Sequence, residues 1–185
     1  MGRSPRDDIA EILVTADQLD AAVDRLAQRL TDDLHDANPL LVGVLTGSFV
    51  FLADLIRRLD FPLEVDFVCA CSYREGTEAG RLVIERDLTR EIAGRHVVVV
   101  DDIVDSGQTL SLLAANLRQR GPARVLTCCL LDKPERRAAA FEADYVGIKI
   151  PDRFVVGYGL DFAYQYRNLP FIGVLRQELY GSERE

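Results

Sequence analysis

The chain has 185 residues, 48% hydrophobic and 28% charged, with a formal net charge of −8. That length fits one domain with a sizeable core, and the absence of long polar tracts argues against disorder. The acidic balance argues against the broad basic footprint of a nucleic-acid binder, no apolar stretch approaches the roughly 18 residues of a membrane span, and "MGRSPRDDIAEILV" lacks the apolar segment of a signal peptide, so cytoplasm is the expected location.

Leu19, Val23, Leu26, Leu30 and Leu34 recur at steps of three and four, which predicts a helix over 17–35 with one apolar face. Thr15 or Asp17 is placed to cap it, and Asn38-Pro39 ends it. "LLVGVL" (40–45) reads as a short strand running into Thr-Gly-Ser, 49–59 as a helix, and "EVDFVCACSY" (64–73) as a strand. Residues 74–91 are polar, contain Gly76 and Gly80, and read as a mobile connection; a hairpin with "RLVIE" as a permanent strand is the alternative. A strand over 96–100, a helix over 109–120 ended by Gly121-Pro122, a strand at "RVLTCCLL" (124–131), a short helix near 135–141 and a strand over 145–150 follow. Beyond Pro151, "FVVG" and "FIGVL" are shorter strand-like pieces. Cys69, Cys71, Cys128 and Cys129 lie inside apolar runs without CxxC spacing and read as small buried hydrophobes.

Strands alternate with helices, and the central strands are apolar throughout, which points to an α/β fold with a mostly parallel sheet covered on both faces. Ligands of such sheets bind beyond the carboxyl ends of the strands. Those ends carry Thr46-Gly47-Ser48, Ser72-Tyr73, Asp101-Asp102 and Asp132-Lys133.

One stretch, "VVVVDDIVDSGQT" (97–109), ends a greasy run on carboxylates that should repel one another. A turn capped by Asp105 or Ser106, with Gly107 permitting it, explains 105–109 but not Asp101 and Asp102. The spelling DDxxD suits magnesium-diphosphate binding on a helix, but here the run follows a β-branched strand and precedes a glycine. A third reading joins the parts: carboxylates to accept from sugar hydroxyls, then backbone N–H groups at a helix N-terminus to hold a phosphate. The Walker pattern is absent.

With those residues in view, "VVVVDDIVDSGQTL" resembles the phosphoribosyl-diphosphate signature of the type I phosphoribosyltransferases. "LVGVLTGSFVFLADL" (41–55), "SY" (72–73), "LLDKPERR" (130–137) and "PDRFVVGYGLDFAYQYRNLPFIGVL" (151–175) resemble its 6-oxopurine branch, the hypoxanthine-guanine phosphoribosyltransferases. The likeness covers most of residues 9–180. It implies the type I phosphoribosyltransferase fold in a single domain over 1–185: a core at about 37–150, and a small hood formed by the terminal segments, about 1–16 and 151–185.

The resemblance also implies roles. Asp101 and Asp102 would hold the ribose hydroxyls and, with Asp161, contact magnesium. Asp105 would take the purine N7 proton, and Ser106, Gly107, Gln108 and Thr109 would cradle the 5′-phosphate. Leu45, Thr46 and Gly47 would form a pyrophosphate loop with an unusual backbone turn, joined by Arg167. Many relatives carry Lys or Arg where Thr46 stands, so backbone contacts rather than a side chain would act there. Lys133, Phe154, Val155 and Asp161 would bind the purine, and Ser72-Tyr73 would open a lid reaching to about Arg86. For several of these an ordinary structural role is the competing explanation: a solvated lysine, a core phenylalanine, a charge pair. The implied activity is conversion of hypoxanthine or guanine plus phosphoribosyl diphosphate to IMP or GMP plus pyrophosphate, by a homodimer or homotetramer that needs neither nucleic acid nor membrane. A related transferase preferring xanthine, and an RNA-binding regulator of pyrimidine operons on the same fold, are the alternatives.

Overall fold

The computed structural model describes residues 4–73, 81–138 and 140–180. The first long helix, α1 (Ala16–Leu34), opens on a reciprocal cap in which the Thr15 hydroxyl accepts from Gln18 N–H and the Gln18 side chain accepts from Thr15 N–H. Its buried face includes Leu19, Val23, Leu26, Leu30 and Leu34. Strand β2 (Leu40–Leu45) leads into helix α2 (Phe49–Ile56), which stops short of the predicted Leu59. Strands β3 (Glu64–Tyr73) and β4 (Arg81–Arg86) pair antiparallel. Thus the latter part of the predicted mobile connection is a strand, because Leu82, Val83 and Ile84 find ladder partners on β3. The first part of the predicted lid, 74–80, lies outside the described residues.

Strand β5 (His96–Val104), helix α3 (Gln108–Arg118), strand β6 (Arg124–Asp132) and strand β7 (Tyr145–Lys149) complete the main sheet. Its order is β4-β3-β2-β5-β6-β7, with every pairing parallel except that of the edge strand β4. The four valines are all fully buried and alternate between faces: Val98 and Val100 face the cluster of α1 and α2, whereas Val97 and Val99 face that of α3. A strand buried on both sides has no polar face to show, hence the unbroken valine run. The cysteines also sit in strands, Cys128 and Cys129 buried and Cys69 and Cys71 partly so.

A second sheet, in the order β1-β9-β8, is assembled from strands β1 (Ile9–Val14), β8 (Val155–Val156) and β9 (Ile172–Leu175). The buried Asp8 carboxylate accepts from Tyr166 O–H at 2.8 Å and ties the two ends of the chain together. Strand β1 has no counterpart in the sequence reading, since only Val14 among its residues is buried. In place of the predicted helix at 135–141 there is a single 3-10 turn, Pro134–Arg136. It ends because Ala138 N–H donates to Ser106 O of the neighbouring loop (3.0 Å) instead of continuing a helix.

Candidate active site

The parallel strands enter the sheet in the order second, first, third, fourth, fifth. The point at which the winding reverses lies between β2 and β5, and the loops leaving those two strands separate there to leave a crevice. From β2 come Leu45, Thr46 and Gly47, with a cis peptide between Leu45 and Thr46; from β5 come Asp101 and Asp102. A Cβ on Gly47 would fall 1.7 Å from Asp102 Oδ2, and one on Gly159 2.2 Å from Gly47 O. Glycine at both positions therefore lets the β2 loop lie against the acids on one side and the 157–160 turn on the other. Thr46 points outward, exposed.

Strand β5 is longer than the sequence suggests. Its parallel register continues through Asp101↔Cys129, Ile103↔Leu131 and Val104↔Asp132, so the acid pair stands within the strand and Asp105 follows its end. Burial, and then the neighbouring Asp102 charge, push the Asp101 carboxyl well above the usual carboxylate range. Burial pushes Asp102 up too, opposed by hydrogen bonding from Asp101 and the backbone and by the Arg167 charge. The repulsion evident in the sequence is thus expressed in the protein as an upward shift of the Asp101 carboxyl.

After Asp105 the chain turns through Gly107, which caps α3 in the left-handed conformation (φ 77°). The cap is this glycine rather than Asp105 or Ser106. Ser106 Oγ accepts from Gln108 N–H at 3.3 Å, and the Thr109 and Ser72 hydroxyls are 2.8 Å apart. No acidic residue lies in the first turn of α3, which leaves the positive end of the helix available to an anion. Asp101, Asp102, Asp105, Ser106, Gly107 and Thr109 wall a cavity of about 230 Å³ with Leu45 and Gly47 at its other side.

A neighbouring cavity of about 390 Å³ is lined by Lys133, Phe154, Val155 and Asp161. Lys133 is 6% exposed, and its N–H donates to Val104 O at 2.9 Å, which sets the residue beside the end of β5. The Phe154 ring is held by Tyr180, stacked at 4.6 Å, and by the edge of Phe162 at 5.6 Å. Asp161 has both carboxylate oxygens engaged, one with Arg167 (2.8 Å) and one with Tyr164 N–H (2.9 Å); Arg167 also donates to Gly159 O (2.6 Å).

The two cavities share Ile103 and Asp105 in their walls. Ile103, a wall residue of both cavities, has no role in the sequence reading. Arg136 and Arg137 likewise have none. Arg137 pairs with the buried Asp132 and donates to Asp105 O at 3.0 Å, joining the loop that carries Lys133 to the loop that carries Asp105. The sequence signal for it is the acid five residues earlier, which by itself specifies nothing.

Among the described residues no group of three or more His, Cys, Asp or Glu is arranged to hold a metal ion. The adjacent acids, beside a cavity with a helix N-terminus at one side, instead suit an ion carried in on a diphosphate. Magnesium commonly binds through one or two carboxylates, substrate phosphates and retained waters.

Sheet order, switch-point crevice and paired cavities define the type I phosphoribosyltransferase fold. The model of the phosphoribosyl transferase domain family matches residues 13–163. The chain is 47% identical to the hypoxanthine-guanine phosphoribosyltransferase of Streptococcus pneumoniae strain R6 and 44% identical to that of Bacillus subtilis, each over 95% of this chain and 98% of the relative. A crystal structure of a hypoxanthine phosphoribosyltransferase from Staphylococcus aureus superposes with a TM-score of 0.92 at 42% identity, over 97% of this chain and 98% of that one. The chain belongs to the phosphoribosyl transferase family.

Proposed function

We infer that this protein is a purine-salvage transferase, moving the phosphoribosyl group of phosphoribosyl diphosphate to hypoxanthine or guanine and releasing pyrophosphate. The observation that carries the reading is the shared wall: a cavity with an aromatic face and a buried lysine meets, at Ile103 and Asp105, a cavity built from carboxylates and a helix N-terminus. A base in the first and a ribose phosphate in the second would meet at that wall.

In this reading Phe154 and Ile103 supply apolar faces to the purine, Lys133 donates to its 6-oxo group, and Val155 offers backbone groups to its edge. Asp101 and Asp102 accept from the ribose hydroxyls. Ser106, Gly107, Gln108 and Thr109 hold the 5′-phosphate, and Leu45, Thr46, Gly47 and Arg167 the diphosphate. As N9 attacks C1′, the bond from C1′ to the diphosphate oxygen breaks and Asp105 takes the N7 proton. Positive charge grows on the ribose near the carboxylates, and negative charge on the leaving group near Arg167. Asp101 and Asp102, with Asp161 if it is drawn away from Arg167, are the residues that would hold magnesium, which when bound neutralises diphosphate charge.

Two or four copies of the chain, working in the cytoplasm, belong to the same proposal. No helix among the described residues is long and apolar enough to cross a membrane. The test is a panel of hypoxanthine, guanine, xanthine and adenine with phosphoribosyl diphosphate and magnesium, following nucleotide formation. Turnover of hypoxanthine or guanine is expected; turnover of adenine alone, or of no base, refutes the reading. Sedimentation velocity on the same preparation tests the assembly.

A further inference from the structure

We propose that Arg136 is a positioning residue for Asp105, holding one carboxylate oxygen so that the other is presented to the base. The proposal rests on the reading of Asp105 as the acceptor of the purine proton. Arg136 closes the 3-10 turn that follows Lys133, and it lines the base cavity. Its Nε lies 2.9 Å from Asp105 Oδ1, and its Nη1 lies 3.5 Å from Asp152 Oδ1. Asp105 Oδ1 is sealed from solvent and has no hydrogen-bond partner among the described residues, so the Arg136 contact is one of charge and packing. The Asp105 side chain as a whole is nevertheless 43% exposed. What remains open therefore faces the cavities that Asp105 borders, and it includes the second oxygen.

Two consecutive arginines thus grip one aspartate from different ends. Arg137 holds its carbonyl, at 3.0 Å, and Arg136 its carboxylate. Asp152, on the segment leading into β8, also lines the base cavity and braces Arg136 through its second nitrogen. A carboxylate at a strand end has two side-chain torsions to settle, and proton transfer tolerates little error in aim. An ion pair this exposed adds little to stability, so its consequence should appear in turnover rather than in folding.

The experiment compares Arg136→Ala and Arg136→Lys with the wild type, using hypoxanthine and phosphoribosyl diphosphate, and repeats Arg136→Ala in an Asp105→Asn background. In the wild-type background Arg136→Ala should lower kcat about threefold to tenfold, leave KM for hypoxanthine within about twofold and move Tm by no more than about 2 °C. Lysine, which can reach the carboxylate as a point charge, should recover about half of the loss. In the Asp105→Asn background the alanine should cost nothing further, because a residue that acts through Asp105 has nothing left to aim. An unchanged kcat for Arg136→Ala, or the same fractional loss in both backgrounds, overturns the proposal while leaving the role of Asp105 standing. An unchanged kcat for Asp105→Asn alone would show instead that the reading beneath the proposal is wrong, and the proposal falls with it.

Discussion

Arg137→Ala tests whether the two site loops depend on one another. Its guanidinium is paired with Asp132, and the side chains are 17% and 8% exposed respectively. Removing the cation strands a carboxylate in the interior, and breaking a buried pair from one side costs about 3–5 kcal/mol. For a chain of this length each kcal/mol moves Tm by roughly 2–4 °C, so Tm should fall by about 6–20 °C. The same change releases the Asp105 carbonyl, held at 3.0 Å, and removes the packing of Arg137 Cδ over Gly107; kcat should therefore fall as well. Urea denaturation gives the first quantity and steady-state kinetics the second. Asp132→Asn in the same chain supplies the sign check. If the penalty is a stranded charge, the double variant must be more stable than Arg137→Ala alone by at least about 1 kcal/mol. A single variant within about 1 kcal/mol of wild type, or a double variant no better than the single, refutes the account.

Asp105→Asn should keep the fold and much of the affinity for phosphoribosyl diphosphate while lowering kcat by about 10²–10⁴, the usual cost of losing a general base; wild-type turnover with every base would remove Asp105 from the chemistry. Lys133→Ala should weaken transition-state stabilisation with 6-oxopurines by about 1.5–3 kcal/mol, read as kcat/KM, with little change in KM for phosphoribosyl diphosphate. Equal losses toward both substrates would mark general damage instead. Asp66 lies away from the site: burial alone would raise its pKa, but hydrogen bonds from the N–H groups of Phe67, Thr89 and Arg90 and from the Thr89 hydroxyl hold it below the usual value. A depressed carboxyl stabilises the fold above its unfolded pKa, and that contribution is lost as pH falls through the folded value. Asp66→Asn should thus cost about 1.5–3 kcal/mol at pH 7, with the difference from wild type shrinking below about pH 4; a gap independent of pH in urea titrations would contradict this.

The elements most legible in the sequence were those whose pattern has a single physical solution. A stripe of four leucines and one valine at helical spacing can only be α1, and four successive valines with turn signals at either side can only be a strand covered on both faces. Strand β1 was not legible. Its residues are largely exposed, with Ile12 at 49%, and it exists because β9, more than 150 positions later in the chain, supplies its ladder. The predicted helix at 135–141 failed for a related reason. Ala138 finds a better acceptor on the 106 carbonyl than its own turn could offer, a contact that local propensity does not encode.

The candidate site divides along the same line. "DDIVDSGQT" announces carboxylates, a left-handed turn and a helix start within nine residues, and the structure keeps them in one wall because they are consecutive. What no local pattern announces is where that wall faces. Gly47 needs to be glycine because Asp102 lies where a side chain would be, and Gly159 because the Gly47 carbonyl does. Each glycine read alone suggests only a turn. Read as a stack, they bring three segments separated by more than fifty residues into van der Waals contact at the switch point of the sheet. The sequence therefore names the chemistry within a motif, whereas the closeness of motif to motif is decided by the absence of side chains.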